Sequence, residues 1–267
     1  MRGRHARSDF HRMVLAMTGL IGALVFLTRL PIRTRRSLDT ATSVPWFPVA
    51  GLIIGAMVGG VAAVLEPWAS PSVAAAVAVT VGLLVTGSFH EDGLADVADA
   101  FVGGWTRDDR LRILKDPRHG TYGVAALVAS VLVRVLALGT LVSYGPKVAF
   151  AGAVVAHGLA RSGAVATMIA AEPATGEGLG ADYVARLDRT RSALGIVVAI
   201  GASAALVGWW AAVALGMVVL SAWILSAWSA RRIGGFSGDV LGAIEQVGEI
   251  TVLVALSIVA GHHQLWW

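Results

Sequence analysis

Apolar residues run in blocks along this chain, at about 13–28, 48–66, 71–88, 124–143, 148–170, 193–210, 213–230 and 250–267. Each block approaches the ~20 residues that a helix needs to cross hydrocarbon. Polar residues collect between the blocks in four long connections, 29–47, 88–123, 171–192 and 231–249, and three connections are very short. The pattern predicts an all-α, polytopic membrane helix bundle with about seven to eight apolar segments. It forms a single integral-membrane domain over 1–267, with a basic tail at 1–12. The boundary between the sixth and seventh blocks falls near Trp209 and Trp210.

The blocks at 48–66 and 71–88 return the chain to the side it left, so alternation puts all four long connections on one face. That face carries 14 Lys and Arg (four, five, three and two in chain order), whereas the opposite connections carry only Lys147. A basic bias of this kind marks the cytosolic side, so the expected location is the cytoplasmic membrane, crossed several times, with the long loops in the cytosol. The first block has two readings. A full span would leave Arg2, Arg4, Arg7 and Arg12 outside, so a re-entrant or interfacial segment is the alternative, and translation from Met13 would remove the conflict. The block runs into Thr28-Arg29-Leu30-Pro31 without a small-residue cleavage site and reads as retained.

Composition agrees with a lipid bilayer as the main partner: 56% of residues are hydrophobic and 14% charged, with a mean hydropathy of +0.73. Cysteine is absent, which excludes disulfides, thiolate metal sites and Cys nucleophiles. Most Lys and Arg lie between the apolar blocks, and the net charge of +4 forms no basic, aromatic-interleaved platform, so no nucleic-acid partner is expected.

Chemistry concentrates in the polar connections. Seven of the 17 acidic residues fall in 88–123: Glu91, Asp92, Asp96, Asp99, Asp108, Asp109 and Asp116. Within it, Asp92, Asp96 and Asp99 stand at i, i+4 and i+7, one face of a helix if the run is helical. Carboxylates so placed repel one another unless a cation joins them. Mg²⁺ suits such a set together with phosphate oxygens; a merely solvated acidic loop is the alternative. Next comes Leu114-Lys115-Asp116-Pro117-Arg118-His119-Gly120-Thr121-Tyr122-Gly123, where Lys115 and Arg118 offer cationic donors beside glycines, as a diphosphate requires. Anchoring to lipid headgroups would use the same charges. The third stretch, Gly234-Gly235-Phe236-Ser237-Gly238-Asp239 and on through Glu245 to Glu249, suggests a second half-site; helix packing through small residues would explain Gly242 and Gly248 equally well. Inside the spans, Arg134, His157 and Arg161 are costly in hydrocarbon, and each is a functional candidate or the partner of an acid.

These stretches, in this order, resemble the adenosylcobinamide-GDP ribazoletransferase family, also called cobalamin (5′-phosphate) synthases. The match rests on Gly87-Ser88-Phe89-His90-Glu91-Asp92-Gly93-Leu94-Ala95-Asp96 with Asp99, and on Leu114-Lys115-Asp116 running to Gly120-Thr121-Tyr122-Gly123. Supporting it are Phe26-Leu27-Thr28-Arg29-Leu30-Pro31, Phe47-Pro48-Val49-Ala50-Gly51 and Gly234 through Ala243. Ala100 stands where the family often has Gly, and Pro117-Arg118-His119 where Ser-Arg-Ile is more usual; neither change removes a charged group. The resemblance implies a Mg²⁺-dependent enzyme. It would join adenosylcobinamide-GDP to α-ribazole or its 5′-phosphate, releasing GMP and forming adenosylcobalamin or its 5′-phosphate. On this reading Asp92, Asp96, Lys115 and Arg118 are catalytic. Arg29, His90, Lys115, Asp116, Arg118, Thr121, Arg161 and Asp239 contact substrate, and Glu91, Asp92, Asp96, Asp99, Asp239 and Glu245 are candidate metal ligands. A homo-oligomer is compatible with the sequence.

Two other classes compete. A CDP-alcohol phosphotransferase would also bind a metal and expel a nucleoside monophosphate, but no Asp-Gly-x-x-Ala-Arg run is present. A small-molecule transporter would place its polar groups at mid-membrane, often at broken helices, whereas most of them here lie in the connections.

Overall fold

The computed structural model describes residues 17–34, 40–176 and 179–262. The basic tail 1–12, residues 13–16 of the first apolar block, and His263, Trp266 and Trp267 lie outside them. Helix α1 (Met17–Leu27) is followed by the short α2 (Thr40–Ser43), a 3-10 turn at Val44–Trp46 and α3 (Phe47–Leu65). Next come α4 (Pro71–Thr86), α5 (Phe89–Ala98) with a π-helical turn at Asp99–Gly103, α6 (Arg107–Ile113), α7 (Thr121–Ser143) and α8 (Pro146–Ala170). The chain ends with α9 (Leu179–Ala185), α10 (Arg189–Val207), α11 (Trp210–Ile233) and α12 (Gly238–His262). Among the described residues, six helices are long and apolar enough to cross a membrane, or up to seven if the bent pair α4–α5 counts as one span. This is the multi-pass helical bundle that the apolar blocks predict. The described part of α1, at 11 residues or roughly 16 Å, is by itself too short to span.

Small residues set the packing. Helix α8 runs through the middle, with 89% of its most apolar window buried. Gly51, Gly55 and Gly59, one turn apart on α3, let the two backbones meet: a Cβ on any of them would run into the α8 main chain at His157, Ala153 or Phe150. Proline in the first turn of α3, α4 and α8 suits a position whose N–H has no helical partner.

Two features depart from the sequence reading. The stretch 231–249, read as a polar loop, is mostly helix: α12 begins at Gly238, eleven residues before Glu249, and buries Glu245 and Glu249 within the bundle. The loop 88–123 likewise opens with α5, set at 92° to α4. That corner is turned by two consecutive left-handed residues, Gly87 at φ 64° and Ser88 at φ 55°. Only glycine takes the first position without strain.

The four polar connections meet at one end of the bundle, as the alternation of spans requires. Arg29 N–H donates to Val85 O at the end of α4 (2.7 Å). Arg107 on α6 donates from Nε to Ile233 O (2.9 Å) and from Nη2 to Ala174 O (3.0 Å). Ala174 N–H donates in turn to Phe236 O (2.8 Å). At Gly93 helix α5 crosses Asp239 so closely that a Cβ would lie 2.7 Å from the Asp239 carbonyl oxygen.

Candidate functional site

Helix α5 distributes its acids over two faces, because Glu91 stands about 100° around the axis from Asp92. Asp92 and Asp96, one turn apart, face the loop that precedes α7. His119 from that loop lies between them, with Nε2 3.4 Å from Asp92 Oδ1 and Nδ1 3.5 Å from Asp96 Oδ1. The three residues bring one ligand atom each to within 4.8 Å of one another. Burial raises the Asp96 carboxyl from its ordinary value to about 6, and the neighbouring charges of Asp92 and then Asp239 push in the same direction. The residues fit a divalent cation: two carboxylate donors and an imidazole converge where negative charge is under-compensated. His119 is the member that the sequence motif missed, standing out there only as a departure from the family pattern.

Asp99 shares the expected face but has other partners. Its Oδ2 accepts from Gly120 N–H (2.6 Å) and its Oδ1 from Gly123 N–H (2.9 Å). Both oxygens hold down the start of α7, and the loop carrying His119 is thereby fixed against α5. Asp99→Ala is expected to lose ~1–3 kcal/mol through these two orphaned donors. The readout is faster hydrogen exchange at the Gly120 and Gly123 amides with a lower Tm; unchanged exchange at both would refute the anchoring role.

The cationic loop lies at the surface of the same end. Arg118, its side chain 85% exposed, forms a two-pronged pair with Asp116, Nε to Oδ1 at 2.9 Å and Nη2 to Oδ2 at 2.7 Å. Those bonds, and the Arg118 N–H to the same carboxylate, hold Asp116 down at about 2. Lys115 and Thr121 are exposed, and so is Arg29, whose side chain packs on Gly87.

Glu91, Arg161 and Glu245 lie deeper, in a network of buried ion pairs. Arg134 on α7 bridges Glu91 Oε1 (3.0 Å) and Glu249 Oε1 (3.1 Å). His157 on α8 sits 3.0 Å from Glu249 Oε2. Arg161, one turn on, pairs with Glu245, whose other oxygen is 3.7 Å from His90 Nδ1 and accepts from Gln246 Nε2 (3.0 Å). His157, Glu245 and Glu249 also bring ligand atoms together, but the guanidinium groups of Arg134 and Arg161 already supply positive charge there. The metal candidates of the sequence reading thus divide: Asp92 and Asp96 line the exposed rim near Asp239, while Glu91 and Glu245 pair with arginines.

A family model described as cobalamin-5-phosphate synthase matches residues 19–257. Curated proteins named adenosylcobinamide-GDP ribazoletransferase are similar over most of their length. That of Bradyrhizobium diazoefficiens is 39% identical over 244 residues, covering 87% of this chain and 90% of the relative. The Escherichia coli K12 protein is 36% identical over 239 residues, with 87% and 96% covered. The protein of Shewanella piezotolerans is 33% identical over 242 residues, with 89% and 93% covered. No solved structure gives a significant match.

Proposed function

The chain belongs to the cobalamin-5-phosphate synthase family, and from that premise we propose how its residues carry out the family reaction. The activity is adenosylcobinamide-GDP ribazoletransfer in cobalamin biosynthesis. A hydroxyl of α-ribazole, or of its 5′-phosphate, attacks the diphosphate of adenosylcobinamide-GDP, and GMP leaves.

Asp92 and Asp96 would hold a divalent cation, which we take to be Mg²⁺, with His119 as a third donor and Asp239 close by. Such a cation would supply positive charge against the diphosphate. Lys115 acts as a point charge on the phosphates and Arg118 as a planar fork. Asp116 keeps the Arg118 guanidinium in one orientation, so less freedom is lost when a phosphate arrives. Asp99 positions the whole loop through Gly120 and Gly123. The observation that carries this reading is the convergence of Asp92, Asp96 and His119 within 4.8 Å at the end where the polar connections meet.

The test is release of GMP from adenosylcobinamide-GDP and α-ribazole by purified protein in detergent, with and without Mg²⁺. Turnover is expected only with the cation. Lys115→Ala and Arg118→Ala should each lower kcat/KM about thirty- to a thousandfold, equivalent to ~2–4 kcal/mol of transition-state stabilisation. A loop that only anchors to lipid headgroups predicts near-normal kcat/KM for both.

The same reading turns this end of the bundle toward the cytosol, because the basic residues gather there. Labelling can check it cleanly, since the chain has no cysteine. Asp108, with a side chain 95% exposed, is a suitable position. A cysteine introduced by Asp108→Cys should react with an impermeant maleimide only when the reagent reaches the cytosolic face, and reaction from the opposite side alone would reverse the orientation.

A further inference from the structure

A narrow cleft opens beside the acidic rim, at the junction of α1, α3, α5, α8, α9 and α12. It holds about 520 Å³ not filled by protein atoms, some of it open to solvent, and forms a slot between aromatic side chains. Its walls include Phe26, Phe47, Phe89 and Tyr183. Phe26 and Phe47 lie parallel, their centroids 5.4 Å apart, while Phe89 and Tyr183 meet Phe26 edge-on at 5.3 Å. Rings so arranged offer both faces and edges to a further flat ring.

The slot is polar as well. Arg161, His90 and Glu245 also line it. Arg161 commits Nη1 to the His157 carbonyl oxygen (3.1 Å), but its Nε is buried without a hydrogen-bond partner. Likewise the Tyr183 hydroxyl is buried and unpartnered. Burial raises the Tyr183 phenol to about 12, so it stays a neutral donor at ordinary pH. Buried polar atoms rarely remain unsatisfied, and two at one aromatic slot indicate a ligand that brings polar atoms of its own. The slot also adjoins the rim: Gly238, on its wall, precedes Asp239, and Phe89, also on its wall, stands one turn before Asp92 on the same face of α5.

We propose that this slot binds the flat, fused-ring base of the ribazole nucleoside, so that its ribose hydroxyl faces Asp92, Asp96 and Asp239. The assignment rests on the family reaction stated above. A corrin ring is far too bulky for the slot, and a lipid tail would leave the Tyr183 hydroxyl and Arg161 Nε without partners. Nucleoside nitrogen and hydroxyl groups can satisfy both.

Three substitutions in the full-length protein test the proposal. Phe89→Ala removes a half-exposed ring. Tyr183→Phe removes only the hydroxyl. Gly238→Leu narrows the slot at a position where an added Cβ meets nothing within 4 Å. The KM for α-ribazole should rise about five- to tenfold in Phe89→Ala and Gly238→Leu, and less in Tyr183→Phe, with the KM for adenosylcobinamide-GDP within about twofold of wild type. Unchanged α-ribazole KM in all three, or equal rises in both KM values, overturns the assignment. A lipid-filled slot would give the first of these results. Calorimetry with α-ribazole and with benzimidazole, each alone, separates this proposal from its premise. Binding by wild type that Gly238→Leu abolishes supports the slot even if no GMP is released, whereas no binding of either probe refutes it. Wild-type turnover with unchanged α-ribazole KM in the variants refutes the slot and leaves the family reaction standing.

Discussion

Asp92→Asn and Asp96→Asn are each expected to cut kcat/KM by about a hundred- to a thousandfold while the folded yield stays near wild type. The size follows from losing a charge-bearing ligand at the point where transition-state charge is met, worth ~3–4 kcal/mol. Folding should tolerate the change, because Asp92 is exposed and both carboxylates face His119 and each other. The charge loss relieves the repulsion that adds to burial in raising Asp96 to about 6. Cation binding gives a readout separate from turnover: Mn²⁺, followed by its paramagnetic signal, should bind more weakly to both variants and to His119→Ala. Its affinity for wild type should also depend on pH. Protons compete for Asp96, so binding is full above about 6 and falls as the pH drops through that value. The linkage to stability has the opposite sign in cation-free protein. A carboxyl whose folded value lies above its unfolded value of 3.8 favours the folded state most when protonated, so its contribution shrinks as pH rises from about 4 to 6. Added cation should restore that loss. Wild-type turnover and Mn²⁺ affinity in both Asn variants would remove the rim from the mechanism.

Much of this was legible from spacing alone. The apolar blocks mark the long helices because a hydrocarbon span demands about 20 apolar residues whatever its neighbours. The i, i+4 spacing of Asp92 and Asp96 is local, and α5 places them together as that spacing requires. What failed to show was non-local. Glu245 and Glu249 look like loop acids until Arg134 and Arg161, more than 80 positions earlier, are seen to face them; only then can α12 begin at Gly238 and carry both into the bundle. Asp99 satisfies the face rule, but its oxygens belong to two backbone N–H groups 21 and 24 residues ahead. The aromatic slot draws on positions 26, 47, 89 and 183, and no window of sequence contains them. His119 could have been found only by asking which side chain the Gly120 turn returns to α5.

Arg134→Met is expected to be the most destabilising of these changes, by ~3–5 kcal/mol. Arg134, near the middle of α7, is 3% exposed and joins Glu91, 4% exposed in the first turn of α5, to Glu249, 2% exposed near the middle of α12. One fork thus serves two buried carboxylates on different helices, 3.0 and 3.1 Å away. Removing it leaves both in a low-dielectric interior. The penalty comes from the uncompensated acids more than from the lost attraction, and this is testable. Adding Glu249→Gln to Arg134→Met should recover part of the loss, while Glu249→Gln alone should cost less, because Arg134 keeps Glu91. Arg134→Lys should rescue little, since a single ammonium cannot donate to Glu249 on α12 while a second nitrogen pairs with Glu91 on α5. For a chain of this size the single change corresponds to a Tm roughly 10 °C lower in detergent. A variant that melts within a degree or two of wild type, or a double mutant whose losses simply add, would mean that the network holds α5, α7 and α12 together far less than its geometry implies.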